Sequence, residues 1–159
     1  MKNRKPALPD EIDQKITELL THAGNARRNG NARKWSSLRN DAWALLPEPK
    51  EEWDFHPQTM SRGAVEVIPE LGLCDELDVW IDRMYLTHFD LERKSEYTNL
   101  IAGHALFQCG RKEEALALFK QVLQHHGKEW FMGDYQPYLN LIYKKPRFNF
   151  LNGFSSLFK

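Results

Sequence analysis

The sequence predicts an all-α fold: antiparallel helical hairpins stacked as a short solenoid, with a C-terminal capping helix and a tail. Gly30, Gly72 and Gly110 recur 42 and then 38 residues apart, each between two stretches with helical apolar spacing. Residues at fixed offsets after them are alike. Trp35, Leu77 and Ala115 follow five positions on, and Ala42, Met84 and Val122 twelve on. Seventeen on, each unit ends in Pro47, Phe89 or Gly127. Such a rhythm marks units that bury their faces against neighbours, an architecture suited to binding more than to catalysis.

The elements follow in order. Asp10 is placed to cap a first helix whose apolar stripe is Ile12, Ile16, Leu19, Leu20, Ala23 and Ala26. Asn29-Gly30-Asn31 turns the chain into a second helix carrying Trp35, Leu38, Ala42, Leu45 and Leu46, stopped by Pro47 and Pro49. The stretch 47–57 is too acidic and proline-rich for regular structure, and its Trp53 and Phe55 either anchor the loop or meet a partner. A second hairpin pairs the stripe from Met60 to Leu71 with Leu73, Leu77, Trp80, Ile81, Met84 and Phe89, and Pro69 should shorten or kink its first helix. A third pairs Leu100, Ile101, Ala105 and Leu106 with Ala115, Leu116, Phe119, Val122 and Leu123, ending at Gly127. The expected spans are one domain over 1–159, with hairpins at about 10–46, 58–89 and 95–126, a cap helix at about 134–144 and an aromatic tail at 145–159. The tail, with Phe148, Phe150, Phe154 and Phe158, either folds back on the cap or hooks a partner.

A length of 159 residues, 42% hydrophobic and 28% charged, excludes wholesale disorder and supports one core. No apolar run approaches the roughly 20 residues of a membrane helix. Cys74 and Cys109 are too few for a disulfide framework and lack metal-ligand spacing, so they are read as reduced core thiols in a cytoplasmic protein. The zero net charge conceals segregation: residues 41–92 hold thirteen acidic against three basic side chains, between ends that are each basic. An acidic middle can steer a basic partner, or its charges can pair across neighbouring units. Asp75, Asp78 and Asp82, spaced by three and four on a helix starting near Asp75, form either an acidic docking stripe or a solvated face.

Gly103, Gly110, Glu114, Ala115 and Phe119 give the third unit a resemblance to the tetratricopeptide repeat. In the first unit Ala23, Ala26, Gly30, Ala42 and Pro47 match, but Trp35 stands where that family has a small residue. The second keeps only Gly72, Leu77 and Ile81, and all units exceed the 34-residue period. The resemblance implies a concave groove lined by the first helix of each hairpin. It would place Arg27 and Arg28, then Arg62, Glu66 and Glu70, then Tyr97, His104, Phe107 and Gln108 toward that groove. Leu20 and Gly24 stand where the family's carboxylate-clamp residues would lie, which disfavours that particular activity.

No compact catalytic motif is present, and no His-x-x-x-His pair could share a metal. No cofactor or metal is therefore expected. His104 or His88, the latter beside Asp90, is the remaining candidate for acid–base work; a plain groove-wall role is the simpler reading. Arg27, Arg28, Arg33, Lys34 and Arg39 are basic, but the acidic middle would repel nucleic acid. The expectation is a non-catalytic interaction module, monomeric or weakly dimeric, binding one protein partner. It would neutralise a basic toxin domain as an immunity protein (antitoxin) does for a secreted bacterial toxin. Trp53, Phe55, Tyr97 and Phe107 would act as anchors. The alternative is a secretion chaperone or adaptor taking a peptide segment in the groove.

Overall fold

Seven α-helices, and no strand, make up the residues 5–143 that the computed structural model describes. They are α1 (Asp10–Arg28), α2 (Ala32–Ala44), α3 (His56–Val67), α4 (Leu77–Thr87), α5 (Glu96–Gln108), α6 (Lys112–His126) and α7 (Gln136–Tyr143). Neighbours in sequence pack as pairs, α1 on α2, α3 on α4 and α5 on α6, and α7 lies on α6. The pairs meet through α2 with α3, and through α3 and α4 with α5. The aromatic tail at 145–159 lies outside the described residues.

The three glycine turns close in the same way. Gly30, Gly72 and Gly110 have φ of 68°, 69° and 81°, the left-handed region in which a side chain is costly. At each, the following residue donates its N–H five positions back: Asn31 to Ala26, Leu73 to Ile68, Arg111 to Leu106. The glycine itself donates three back, to Arg27, Pro69 and Phe107. This is the Schellman closure, which satisfies carbonyls that a helix end leaves free. Phe89 makes the same two bonds, to Leu86 and through Asp90 to Tyr85, at φ 56° and without a glycine. The positions five and twelve after each glycine are all buried, from Trp35 and Ala42 to Ala115 and Val122.

Several element ends differ from expectation. Asp10 is the first helical residue of α1, not its cap; with Glu11 and Asp13 it sits against the positive end of the helix dipole, and Arg27 and Arg28 answer the other end. Asn31 caps α2 by accepting the Lys34 N–H at 3.0 Å. The 47–57 stretch is not irregular throughout: α3 begins at His56, because Pro57 lacks an N–H that the first turn would leave unbonded anyway. α4 begins at Leu77, two residues beyond Asp75, which lies in a preceding 3-10 turn.

The cysteines overturn the reduced-thiol expectation. Cys74 and Cys109, 35 residues apart in sequence, form a disulfide with Cα atoms 5.7 Å apart. Both are half-buried, beside the second and third turns, and the packing of α4 on α5 brings those turns together. Sequence spacing alone could not show that apposition.

Trp35 and Trp43 of α2 and Trp80 of α4 form the aromatic centre of the first junction. Trp43 meets Trp80 edge-on at 5.7 Å. The Arg83 guanidinium lies 4.3 Å from the Trp80 ring centre and 4.9 Å from that of Trp43, and donates to Asn40 at 3.0 Å. Arg39 lies 5.2 Å from the Trp35 ring centre and donates to the Met60 carbonyl at 2.6 Å. The tryptophan standing where the repeat family has a small residue thus packs within a cation–aromatic stack.

At the other end, Gly103 lets α5 approach α6. A Cβ there would stand 2.5 Å from Phe119 Cε1. The Phe119 ring stacks on Tyr138 of α7 at 4.3 Å, so the fit of this one glycine reaches the last helix. Gly103→Ala is expected to destabilise by about 1–3 kcal/mol through overpacking, although alanine favours helix. A lowered melting temperature checks it; a stabilised variant would show that Phe119 moves freely.

Candidate functional site

The surface shared by α3, α5 and α7 gathers most of the predicted groove residues. Arg62 of α3 donates to the Tyr97 hydroxyl of α5 at 3.0 Å and stands 3.4 Å from Glu66, one turn on. Tyr97, then Glu66 and Tyr135, hold the Arg62 guanidinium above its ordinary value. Tyr135, just before α7, is pushed up by burial first, then by Glu66 and Tyr97. Farther along α5, His104 Nδ1 lies 2.8 Å from the Tyr138 hydroxyl, and Phe107 packs edge-on to Tyr138 at 5.0 Å. Which of that pair donates depends on the imidazole tautomer. Arg62, Glu66 and Tyr97, the last 40% exposed, face solvent, whereas His104 and Phe107 are half-buried and Tyr138 is buried.

His88 extends the array, its ring 5.6 Å from Tyr97. Burial above all depresses its pKa, with Arg62 and Lys5 adding to the effect while the Met84 carbonyl and Asp90 oppose it. Its Nδ1 lies 2.9 Å from the Met84 carbonyl. Asp90, imagined as its acid–base partner, is committed elsewhere. It accepts from the Lys94 and Ser95 N–H groups at 2.8 and 3.0 Å and from the Thr98 hydroxyl at 2.6 Å, tying down the start of α5. Structural bonds therefore occupy the Asp90 carboxylate and Nδ1 of His88.

The remaining predicted residues lie apart from this array. Glu70 accepts from Arg27 Nε at 3.0 Å and so ties α1 to the second turn. Arg28 is exposed and bonds to Asn25 within its own helix. Trp53 is half-buried against the core, its Nε1–H donating to the Pro47 carbonyl at 3.0 Å, so it anchors its loop. Phe55 is 63% exposed at φ 62°. In the acidic stripe, Arg111 bridges Asp78 at 2.6 Å and Glu114 at 2.6 Å, and Arg93 reaches Asp82 at 2.7 Å. Glu114 first, then Asp78, hold the Arg111 guanidinium well above its usual value. Asp75 remains exposed.

Tyr135 and Tyr138 fall within the expected cap helix, and nothing in the sequence singles them out as site residues. The signal that was available is their place in the segment that returns along α5, although no local motif marks that return. Among the described residues, no group of three or more His, Cys, Asp or Glu side chains is placed to hold a metal ion, and no helix is long and apolar enough to cross a membrane. No family model matches the chain, and comparison with curated proteins and with solved structures returns no match.

Proposed function

We propose that the chain is a non-catalytic interaction module, a tetratricopeptide-like array of hairpins that binds one protein partner across α3, α5 and α7. It neutralises that partner as an immunity protein does a bacterial toxin domain. The observation that carries this reading is the exposed array of Arg62, Glu66 and Tyr97, with the half-buried His104 farther along α5. Arginine and tyrosine are over-represented among the few residues that dominate interface energetics, and here they come from separate helices held on a packed scaffold. The likeness to the repeat family draws support from three identically closed glycine turns and from pairing in chain order. Unequal junctions, the first and second hairpins meeting in a tryptophan–arginine stack and the second and third joined by a disulfide, suit a surface shaped for one partner.

Asp78 and Asp82 are already answered by Arg111 and Arg93, so they belong to the rim, where charge governs approach more than affinity. The disulfide removes the reduced-thiol premise for a cytoplasmic placement, and such bonds persist in oxidising compartments. The partner is first sought there.

The test is recovery of the tagged chain at native expression level from its host, followed by co-expression with what it captures. One stoichiometric partner is expected, toxic alone and harmless with the chain. Arg62→Ala with Tyr97→Ala should weaken that complex at least about tenfold while leaving the fold intact. Many substoichiometric clients, or a complex indifferent to both substitutions, would sink the reading.

A further inference from the structure

Phe89 closes the turn after α4 at φ 56°, with the same bonds that Gly30, Gly72 and Gly110 make in theirs. That conformation is cheap for glycine and costly for a bulky side chain. Burial does not offset the cost, because the ring is 61% exposed. Two residues on, Leu91 is 72% exposed. Large apolar side chains set together in water, one of them on a strained backbone, point to a surface that another molecule covers.

Both side chains line a cleft of about 400 Å³ between the 3-10 turn Lys50–Glu52 and the end of α4, together with Glu51, Leu86, Glu92 and Lys94. Its framework is fixed. The Asp90 N–H bonds back to the Tyr85 carbonyl, the Arg93 N–H bonds to the Asp90 carbonyl, and the Asp90 carboxylate holds the start of α5. Lys5 Nζ lies 4.5 Å from the centre of the Phe89 ring and donates to the Glu51 carbonyl at 2.8 Å, so it joins the two walls. Anchors held in this way lose little freedom on binding.

Charge narrows the choice of partner. Three acidic residues of the lining, Glu51, Asp90 and Glu92, stand against Lys94, with Lys5 at the edge. The cleft also lies at the end of the 41–92 stretch, where acidic side chains outnumber basic ones thirteen to three. We propose that it binds a protein segment in which an apolar side chain is flanked by lysine or arginine. The apolar group packs against Leu86, Phe89 and Leu91, and the flanking cations face Glu51 and Glu92. The cleft shares no residue with the α3–α5–α7 array, and its occupation does not require that the partner be a toxin.

The peptide N-acetyl-Lys-Phe-Lys-amide and its charge-reversed counterpart N-acetyl-Glu-Phe-Glu-amide are titrated into the full chain at low ionic strength. The Leu86 and Leu91 methyl and Phe89 ring resonances are followed by NMR. The basic peptide should saturate, move all three sets of signals and bind roughly tenfold more tightly than the acidic one, a margin that narrows as salt is added. Phe89→Gly should weaken it at least about tenfold through loss of an aromatic anchor. The fold should survive, since glycine is the residue that the other three turns use. Leu91→Ser is the second variant; a side chain so exposed adds little to the fold, and binding should weaken there too. Equal affinity for the two peptides, absence of saturation, or undiminished binding by folded Phe89→Gly and Leu91→Ser overturns the proposal. Shifts of the same signals on diluting the free chain would give the cleft to a second copy and overturn it as well.

Discussion

Reducing the Cys74–Cys109 bond should lower the unfolding free energy by about 3–4 kcal/mol, the chain-entropy value for a loop of this length. The bond closes 35 residues that include all of α4 and α5, so the unfolded chain gains much freedom when it opens. Both sulfurs belong to half-buried residues, so a reductant can reach them without global unfolding. Urea denaturation with and without reductant measures the effect. A Cys74→Ser, Cys109→Ser double variant should match the reduced protein and ignore the reductant. Coincident oxidised and reduced curves would mean that the thiols stay unbonded in solution, and the cytoplasmic placement would regain its premise.

Trp80→Ala should cost about 3–5 kcal/mol, as large-to-small substitutions of buried aromatics do. Trp80 is 1% exposed and is the one ring that both arginines of the first junction approach. Its removal opens a cavity between α2 and α4 and takes away the face that Arg83 covers, a guanidinium whose pKa burial already depresses. The loss is a large share of the 5–15 kcal/mol that separates a typical folded domain from its unfolded state. Thermal and urea unfolding of Trp80→Ala beside Trp80→Phe check this. Phenylalanine should restore part of the loss by refilling volume, and equal costs for the two would show that the indole, not its bulk, holds the junction.

The helices are legible in the sequence because their information is local. Apolar spacing marks the stripes, and the glycines at 30, 72 and 110 mark the turns by a backbone requirement that few other residues meet. Phe89 shows the limit of that rule, since it adopts the same turn without the signature residue. What depends on apposition is not legible. The disulfide needs two turns side by side, the pairing of Asp78 with Arg111 needs α4 beside the start of α6, and the Arg39 bond to the Met60 carbonyl needs the backbone of α3 across from α2. Of the candidate site, Arg62, Glu66, Tyr97, His104 and Phe107 come from aligning turn glycines with the repeat family. Tyr135 and Tyr138 enter only when the chain folds back along α5.

The position of the disulfide also makes the molecule mechanically unequal. α4 and α5 are joined covalently at both ends, by Cys74–Cys109 at the turns and by the chain itself at 88–95. α2 and α3 share only the 45–55 loop; their opposite edge is held by Arg27 with Glu70 and by the Ser36 hydroxyl on Glu76. The second and third hairpins are therefore clamped covalently at two places, while the first is joined to them covalently at one. Opening between the first and second hairpins must break those two contacts together with the Arg39 bond to the Met60 carbonyl, the Arg83 bond to Asn40 and the contact of Asp13 with His56, none of them covalent.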